Sequence, residues 1–149
     1  MRARYTIRKI RLSDVDGIMV IERSSFGRDA YDRNLFAEYF HKCGDLFLAA
    51  ADGRGNLCGY MITCIRGERA EVVSIAVDPA RRGRGIASAL MDSTLRRLRR
   101  RGAGRLVLMV RETNGPARAF YEKYGFEKVR RVPRYYEDGG DGWLMGKNL

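Results

Sequence analysis

Short apolar or alternating segments divide the chain into predicted strands, and segments with helical features separate them. Seven segments have the β-branched content or the alternation typical of strands, namely 4–10, 46–51, 57–66, 70–77, 106–110, 126–132 and 143–145. Four segments have helix caps or apolar residues on one helical face, namely about 13–24, 32–42, 86–101 and 114–125. The order β-α-α-β-β-β-α-β-α-β-β predicts one mixed α/β domain over residues 1–149.

Three of these segments predict local details of the fold. Segments 46–51 and 57–66 flank a turn-forming DGRGN stretch, so we expect an antiparallel hairpin. Segment 70–77 (AEVVSIAV) is nearly all apolar, and we expect a central strand buried on both faces. Ser13 to Asp16 offers an N-cap with acidic residues for the first helix.

Length and hydropathy restrict the class of protein. A chain of 149 residues with 45% hydrophobic content is long enough for one core and too short for two ordinary domains. Apolar runs are interrupted by charges well before the roughly 20 residues that a membrane-spanning helix needs. The start of the chain lacks the continuous apolar stretch of a signal peptide. We therefore expect a cytoplasmic protein without membrane association.

The cysteines do not indicate a metal site. Cys43, Cys58 and Cys64 have spacings that match no zinc or redox motif, and His41 is the only histidine in the chain. We expect three reduced thiols in the core, since free cysteine is usually buried, and no bound metal.

The formal net charge of +11 suggests an anionic partner. That partner could be a nucleotide cofactor, a nucleic acid such as ribosomal RNA, or an acidic surface. The arginine-rich run 96–101 could contact phosphates, but such a run is more often a solvated helix face. It lacks interleaved aromatic residues, which argues against single-strand recognition.

Segment 77–87 has the features of an anion-binding loop. It joins a predicted buried strand to a predicted helix through two glycines and three arginines. Glycines allow successive backbone N–H groups to face a ligand, and the helix N-terminus adds positive potential. The segment lacks the Gly-Lys-Ser/Thr of a Walker loop and the third glycine of a dinucleotide fingerprint. The residues therefore predict a pyrophosphate site of another kind.

At this loop the chain resembles the GNAT N-acetyltransferases, whose acetyl-CoA loop follows Gln/Arg-x-x-Gly-x-Gly/Ala. The resemblance implies the GNAT fold, a mixed and mostly antiparallel sheet of about seven strands flanked by about four helices, and acetyl-CoA as cosubstrate. By this match the loop would hold the CoA pyrophosphate and the strand edge the pantetheine arm. The implied cofactor-binding residues are Ile75, Ala76, Val77, Arg82, Gly83, Arg84, Gly85, Ile86, Ala87 and Asn114.

Segment 114–126 is similar to the family pattern Asn-x-x-Ala-x-x-x-Tyr-x-x-x-Gly-Phe. The match places Tyr121 in the general-acid position, where it would protonate the departing thiolate. Asn114 would contact the pantetheine arm while it caps the helix. A residue-based alternative is that Tyr121 only packs on a helix face, as Phe120 and Tyr124 could also do.

The general base is less well defined. Over nearly its whole length the chain resembles the RimI-like branch that acetylates protein N-termini, in which a glutamate often occupies the position of Met109. Methionine cannot accept a proton. Glu71 aligns instead with the base of histone-type members, although it could equally pair with a surface arginine such as Arg69. An α-amine has a reference pKa of about 7.7–8.0, so a useful fraction is neutral near physiological pH, whereas a lysine amine at about 10.4 is rarely neutral. A general base is therefore less necessary for an α-amine acceptor than for a lysine acceptor.

Segment 134–142 is similar to the Tyr-Tyr-x-Asp-Gly-x-Asp loop of protein N-terminal acetyltransferases. The resemblance implies that Tyr135 and Tyr136 contact the backbone of an acceptor peptide. One difference from the RimI-like branch is the sequence Gly27-Arg28-Asp29, where Pro-Trp-Ser is typical. A protein N-terminus is the preferred acceptor, a small-molecule amine is the alternative, and an RNA- or ribosome-binding module is a third interpretation. We expect a monomer or a homodimer.

Overall fold

The computed structural model describes residues 5–27 and 30–149, and these residues form seven strands and four α-helices. The helices are α1 (Val15–Phe26), α2 (Arg33–Cys43), α3 (Ile86–Arg100) and α4 (Gly115–Lys123). The strands are β1 (Thr6–Lys9), β2 (Phe47–Ala51), β3 (Leu57–Arg66), β4 (Arg69–Val77), β5 (Arg105–Arg111), β6 (Glu127–Val132) and β7 (Gly142–Asn148). This order confirms the predicted order of elements and the α/β class.

The seven strands form one mixed sheet in the order β1-β2-β3-β4-β5-β7-β6. Every neighbouring pair is antiparallel except β4 and β5, which run parallel. Their register covers three residue pairs, from Arg69 opposite Arg105 to Glu71 opposite Val107. Past this point the two strands separate, and a cleft opens between the C-terminal halves of β4 and β5.

The expectation that β4 is buried on both faces is wrong at alternate positions. Glu71, Val73 and Ile75 are half-buried, whereas the residues between them are buried. A register shift opposite Ile62 and Thr63 leaves Val73 as an extra residue in β4, which is the arrangement of a β-bulge. The half-buried side chains of Val73 and Ile75 line the cleft. Part of the apolar content of this strand therefore belongs to a cavity wall and not to the core.

Two helical layers cover the sheet. On one face α3 and α4 pack their apolar residues against the sheet, with Leu90, Met91 and Leu106 fully buried. On the other face α1 and α2 pack around Phe36 and Tyr60. No helix among the described residues is long and apolar enough to cross a membrane.

The first helix begins differently from the prediction. Leu12–Asp14 forms a 3₁₀ turn, and α1 begins at Val15 without a side-chain cap. The Asp14 carboxylate accepts hydrogen bonds from the Arg8 guanidinium and from the Arg11 N–H instead. The predicted Asn114 cap of α4 is confirmed, because its side chain accepts from the Ala117 N–H. The α2 helix has a side-chain cap as well, since Asp32 accepts from the Leu35 N–H.

The expectation of three reduced thiols is wrong for two of them. Cys43, at the end of α2, and Cys64, in β3, form a disulfide with Cα atoms 5.2 Å apart. The packing of α2 on the sheet brings the two residues within the usual range of a disulfide, and a separation of 21 residues in sequence gave no sign of this. Cys58 is free and buried, as expected.

Candidate active site

Two adjoining cavities occupy the cleft between β4 and β5. The first, here called the loop cavity, has a volume of about 550 Å³ and lies between the end of β4, the segment before α3, and α4. The second, here called the strand cavity, measures about 210 Å³ and lies between β4, β5 and α1. The two cavities share five lining residues, namely Phe26, Ile75, Asn114, Ala117 and Tyr121. They therefore form one continuous cleft.

The backbone before α3 has the geometry of an anion site. Gly83 and Gly85 have φ angles of +78° and +80°, in the left-handed region that favours glycine. Gly85 is the N-cap of α3, and as a glycine it has no side chain with which to cap this helix. The N–H groups of the first turn of α3 are thus available to a ligand, and the helix dipole favours a negative charge there.

Two arginines tie this segment to the body of the protein. The Arg81 guanidinium donates to Asp52, in the β2–β3 turn, at 2.7 Å and to the Cys58 thiol sulfur at 2.8 Å. The hydrogen bond from Arg81 and those from the Arg54 and Asn56 N–H groups lower the pKa of Asp52 to about 2. Arg82 donates to the Ser25 hydroxyl of α1 at 3.2 Å. The segment is thereby held between the hairpin and α1.

Nine of the ten residues predicted to bind the cofactor line the loop cavity. They are Ile75, Ala76, Val77, Arg82, Gly83, Gly85, Ile86, Ala87 and Asn114. Arg84 is exposed and does not line this cavity. Its neighbours Gly83 and Gly85 both have positive φ angles, and the resemblance assigns the backbone N–H of this residue to the pyrophosphate.

Tyr121 lies where the two cavities meet. It is 8% exposed, and its ring packs against Phe120 and Phe126 with centroid distances of 5.6 and 5.7 Å. Burial raises the pKa of its hydroxyl well above the usual value for tyrosine, with a smaller contribution from Tyr136. The hydroxyl is therefore protonated at neutral pH and can act as a hydrogen-bond donor in the cleft.

Met109 and Glu71 occupy different positions relative to the cleft. Met109 lines the strand cavity, so the position at which the resemblance implies a glutamate does belong to this cleft. Glu71 is half-buried at the N-terminal end of β4 and is not a lining residue of either cavity. Burial is the main cause of the raised pKa of Tyr39 and of Tyr135, and the negative charge of Glu71 is the next largest cause. Glu71 thus lies outside both cavities, next to Val72 of β4, which lines the strand cavity.

Glu22 is a lining residue of the strand cavity that sequence reasoning missed. It is 1% exposed, and its carboxylate accepts hydrogen bonds from the Tyr60 hydroxyl, from the Ser74 hydroxyl at 3.2 Å and from the Tyr31 N–H at 3.0 Å. Burial raises its pKa. Its spacing from Val15 and Ile18 places it on the apolar face of α1. This position in the sequence could have indicated a buried carboxylate.

The two tyrosines of the β6–β7 loop have different environments. Tyr136 lines the strand cavity, and the Arg111 guanidinium lies 4.2 Å from the centre of its ring. Tyr135 is 51% exposed and packs edge-on against Tyr136 at 4.9 Å. Arg111, at the end of β5, also donates to Asp138 at 3.2 Å. Sequence reasoning missed Arg111, because its contacts lie about 25 residues further along the chain.

Two other aspects of the sequence prediction concern this region. The departure at Gly27-Arg28-Asp29 falls partly outside the described residues, since residues 28 and 29 are not among them. Within the described part of the chain, no group of three or more His, Cys, Asp or Glu residues is placed to hold a metal ion.

Comparison with known proteins identifies the class to which this cleft belongs. Residues 15–126 match the acetyltransferase (GNAT) family, and this span includes the loop, Glu22, Met109 and Tyr121. The chain belongs to this family and is an acetyltransferase.

Individual members of the family show which kind of acetyltransferase this chain is similar to. An N-alpha-acetyltransferase of Saccharolobus solfataricus is 32% identical, with 97% of this chain and 93% of the relative covered. The structure of Ard1 from Thermoplasma volcanium superposes with a TM-score of 0.93 at 27% identity, covering 97% of each chain. The ribosomal-protein-S18-alanine N-acetyltransferase of Escherichia coli gives a TM-score of 0.85 at 27% identity, covering 98% and 94%.

Proposed function

We propose that this protein transfers the acetyl group of acetyl-CoA to the α-amine of a protein N-terminus. The observation that carries the proposal is the continuous cleft, in which an anion-binding loop and a tyrosine-lined cavity meet at Tyr121. The names of the S. solfataricus and E. coli relatives support the choice of acceptor. Attack by the amine in a ternary complex needs no covalent enzyme intermediate.

The loop cavity fits the donor. The uncapped first turn of α3 and the left-handed glycines before it suit a pyrophosphate, while Arg82 adds positive charge at the cavity wall. The edge of β4 at Ile75–Val77 is available to the pantetheine arm, and the Asn114 side chain caps α4 beside it. When bound, acetyl-CoA supplies the activated acetyl group as a thioester.

Tyr121 is proposed as the general acid. Its hydroxyl carries a proton at neutral pH, so it can donate a hydrogen bond to the thioester sulfur and pass the proton to it as the C–S bond breaks. Its position at the junction of the two cavities is where donor and acceptor must meet.

Glu71 is proposed as the base, acting through water from outside the strand cavity. The proton that it takes is the one that an α-ammonium must lose before it can attack. Because an α-amine has a reference pKa of about 7.7–8.0, a substantial neutral fraction exists near physiological pH. Met109 in place of a carboxylate therefore suits an α-amine better than a lysine side chain.

The acceptor peptide is proposed to enter along Tyr135 and Tyr136. Tyrosine rings offer flat apolar area together with a hydroxyl, which suits a short extended backbone. The exposed ring of Tyr135 lies outside the cavity and that of Tyr136 lines it. A peptide contacting both would extend from solvent toward Tyr121.

The proposal is tested by mass spectrometry of acceptors incubated with acetyl-CoA. We expect acetylation of peptides with a free N-terminus and none of the same peptides with a blocked N-terminus and an internal lysine. Amino sugars and polyamines serve as the small-amine comparison. Acetylation restricted to small amines would reject the peptide acceptor while retaining the donor assignment.

A cluster of arginines near the C-terminal end of α3, far from the loop cavity, supports an additional RNA-binding role. Arg66 and Arg69 face each other across the β3–β4 turn in the strand register, and Arg69 lies opposite Arg105 in β5. The Gly104 N–H donates to the Glu68 carbonyl at 2.8 Å, which brings this turn to the end of α3, where Arg99 and Arg100 are exposed. Guanidinium groups pair well with phosphates. The large exposed apolar side chains lie elsewhere among the described residues, which favours a polyanion over a protein interface.

The RNA role is tested by anisotropy with an RNA duplex over a salt series. We expect a linear fall of log affinity with log salt, and a shallower slope after replacement of Arg66, Arg69, Arg99 and Arg100 by glutamine. Replacement of Lys128 and Arg130 on the exposed edge strand β6 is the control. Equal slopes in all three proteins would reject the role, and peptide acetylation should be unaffected throughout.

A further inference from the structure

Phe26, the last residue of α1, and Tyr31, two residues before α2, both line the strand cavity. Glu22 is the side chain that connects these two parts of the cavity wall. Glu22 lies one helical turn before Phe26 and on the same helix face. Its carboxylate accepts from the backbone N–H of Tyr31 at 3.0 Å. A single side chain of α1 thus restrains the backbone of Tyr31.

The same carboxylate is attached to the sheet. The Tyr60 hydroxyl of β3 and the Ser74 hydroxyl of β4 both donate to one of its oxygens, the latter at 3.2 Å. Ser74 is next to the extra residue Val73 of the β4 bulge, and the Tyr31 hydroxyl donates to the Val73 carbonyl at 3.4 Å. The Tyr31 residue is therefore held at its backbone by Glu22 and at its side chain by the bulge.

We propose that Glu22 is a positioning residue for the acceptor, which sets the wall of the strand cavity by holding Tyr31 against the β4 bulge. This inference rests on the proposed function, since it needs an acceptor in that cavity. It assigns Glu22 no proton transfer. What matters is the reach of the side chain and its capacity to accept a hydrogen bond from the Tyr31 N–H.

Two substitutions separate reach from charge. Glu22→Gln removes the charge and keeps the length, and its amide can accept from the Tyr31 N–H while its NH₂ group donates to the two hydroxyls, which can each accept. Glu22→Asp keeps the charge but shortens the side chain by about 1.5 Å, one C–C bond, so that a 3.0 Å contact is lost. A positioning role predicts that Asp is the more harmful replacement.

The measurement is steady-state kinetics for peptide and for acetyl-CoA, together with hydrogen exchange at the Tyr31 amide. For Glu22→Asp we expect the peptide KM to rise by about fivefold or more, the acetyl-CoA KM to change by less than about twofold, and Tyr31 exchange to accelerate. For Glu22→Gln we expect values close to wild type. Glu38→Gln, at an exposed carboxylate paired with Lys42 outside the cleft, is the control for loss of charge.

Either of two results would overturn the inference. A larger loss of kcat in Glu22→Gln than in Glu22→Asp would show that the charge acts on the reaction. An unchanged peptide KM and unchanged Tyr31 exchange in Glu22→Asp would show that the contact positions nothing. If Glu22→Asp does not fold, the near-normal peptide KM expected for Glu22→Gln still decides between reach and charge. A wild-type protein that acetylates no peptide would instead reject the proposed function.

Discussion

The loop cavity and the strand cavity meet at Tyr121 but are built from different parts of the chain. Most of the loop cavity comes from one continuous stretch, residues 75–88, in which backbone conformation and the start of α3 create the site. The strand cavity takes its walls from α1, β4, β5 and the β6–β7 loop, and it depends on side-chain contacts between them. The loop cavity is thus formed mainly by backbone groups, and we call it a backbone site. The strand cavity is formed mainly by side chains, and we call it a side-chain site.

This difference suggests which half can change its ligand. A backbone site recognises one chemical group and tolerates side-chain replacement, provided that the glycines are kept. A side-chain site changes its shape whenever Glu22, Arg111 or Tyr136 changes its contacts. We therefore expect substitutions in the strand cavity to alter the choice of acceptor without altering the use of the donor.

Tyr121 belongs to both halves, and its substitution should have the largest effect. For Tyr121→Phe we expect kcat to fall on the order of 10²-fold, because the proton donor is lost while the packing against Phe120 and Phe126 remains. The acetyl-CoA KM should stay within about twofold of wild type. Stopped assays at saturating peptide measure this, and an unchanged kcat would remove Tyr121 from the chemistry.

The same difference explains what could be predicted from the sequence. The loop, the Asn114 cap and the order of elements depend on neighbouring residues, so local pattern was sufficient. The Cys43–Cys64 disulfide and the Arg111–Tyr136 contact join residues at least 21 apart, and only tertiary packing brings them together. Glu22 is intermediate, because its place on the apolar face of α1 was visible but its partners in β3 and β4 were not.

The backbone nature of the loop cavity is tested by Gly85→Ala. Gly85 has a φ of +80°, which alanine adopts at a cost of about 1–2 kcal/mol, so we expect the loop to shift and the acetyl-CoA KM to rise about tenfold. Gly67→Ala is the matched control, since Gly67 has a φ of +67° in the β3–β4 turn, at the other end of β4 from the loop, and both positions have open space around the added methyl. It should lower the thermal midpoint without changing KM. Equal KM changes in the two variants would contradict a local loop effect.

The side-chain nature of the strand cavity is tested by Arg111→Ala. Loss of the guanidinium from the face of Tyr136 removes an interaction of about 0.5–1 kcal/mol, so we expect the peptide KM to rise about two- to fivefold with the acetyl-CoA KM unchanged. Lys128→Ala is the control, because the Lys128 ammonium lies 4.7 Å from the centre of the Trp143 ring in the β6–β7 pair, outside both cavities. A rise in acetyl-CoA KM for Arg111→Ala would show that the halves are not independent.

The smallest expected effect concerns the tie between the loop and the β2–β3 turn. Asp52→Asn keeps an oxygen for the Arg54 and Asn56 N–H groups, so the turn should persist while the ion pair with Arg81 is lost. Because Arg81 precedes the loop and acts on it indirectly, we expect the acetyl-CoA KM to rise only about twofold. Asp45→Asn, which removes an ion pair with Arg101 far from the loop, should leave KM unchanged.

The pH dependence of stability distinguishes this tie from a general loss of charge. The pKa of Asp52 is about 2 in the folded protein and about 3.9 in an unfolded chain. A lowered pKa stabilises the folded state fully above the unfolded value, and this contribution disappears as the pH falls through the folded value. Wild type and Asp52→Asn should therefore differ in thermal midpoint above about pH 4 and converge near pH 2. Asp45→Asn should converge in the same way, because Arg101 and Lys9 also lower the pKa of Asp45. Only Asp52→Asn should combine this convergence with a changed acetyl-CoA KM. A changed KM in both variants would mean that the loop responds to overall charge and not to the ion pair between Arg81 and Asp52.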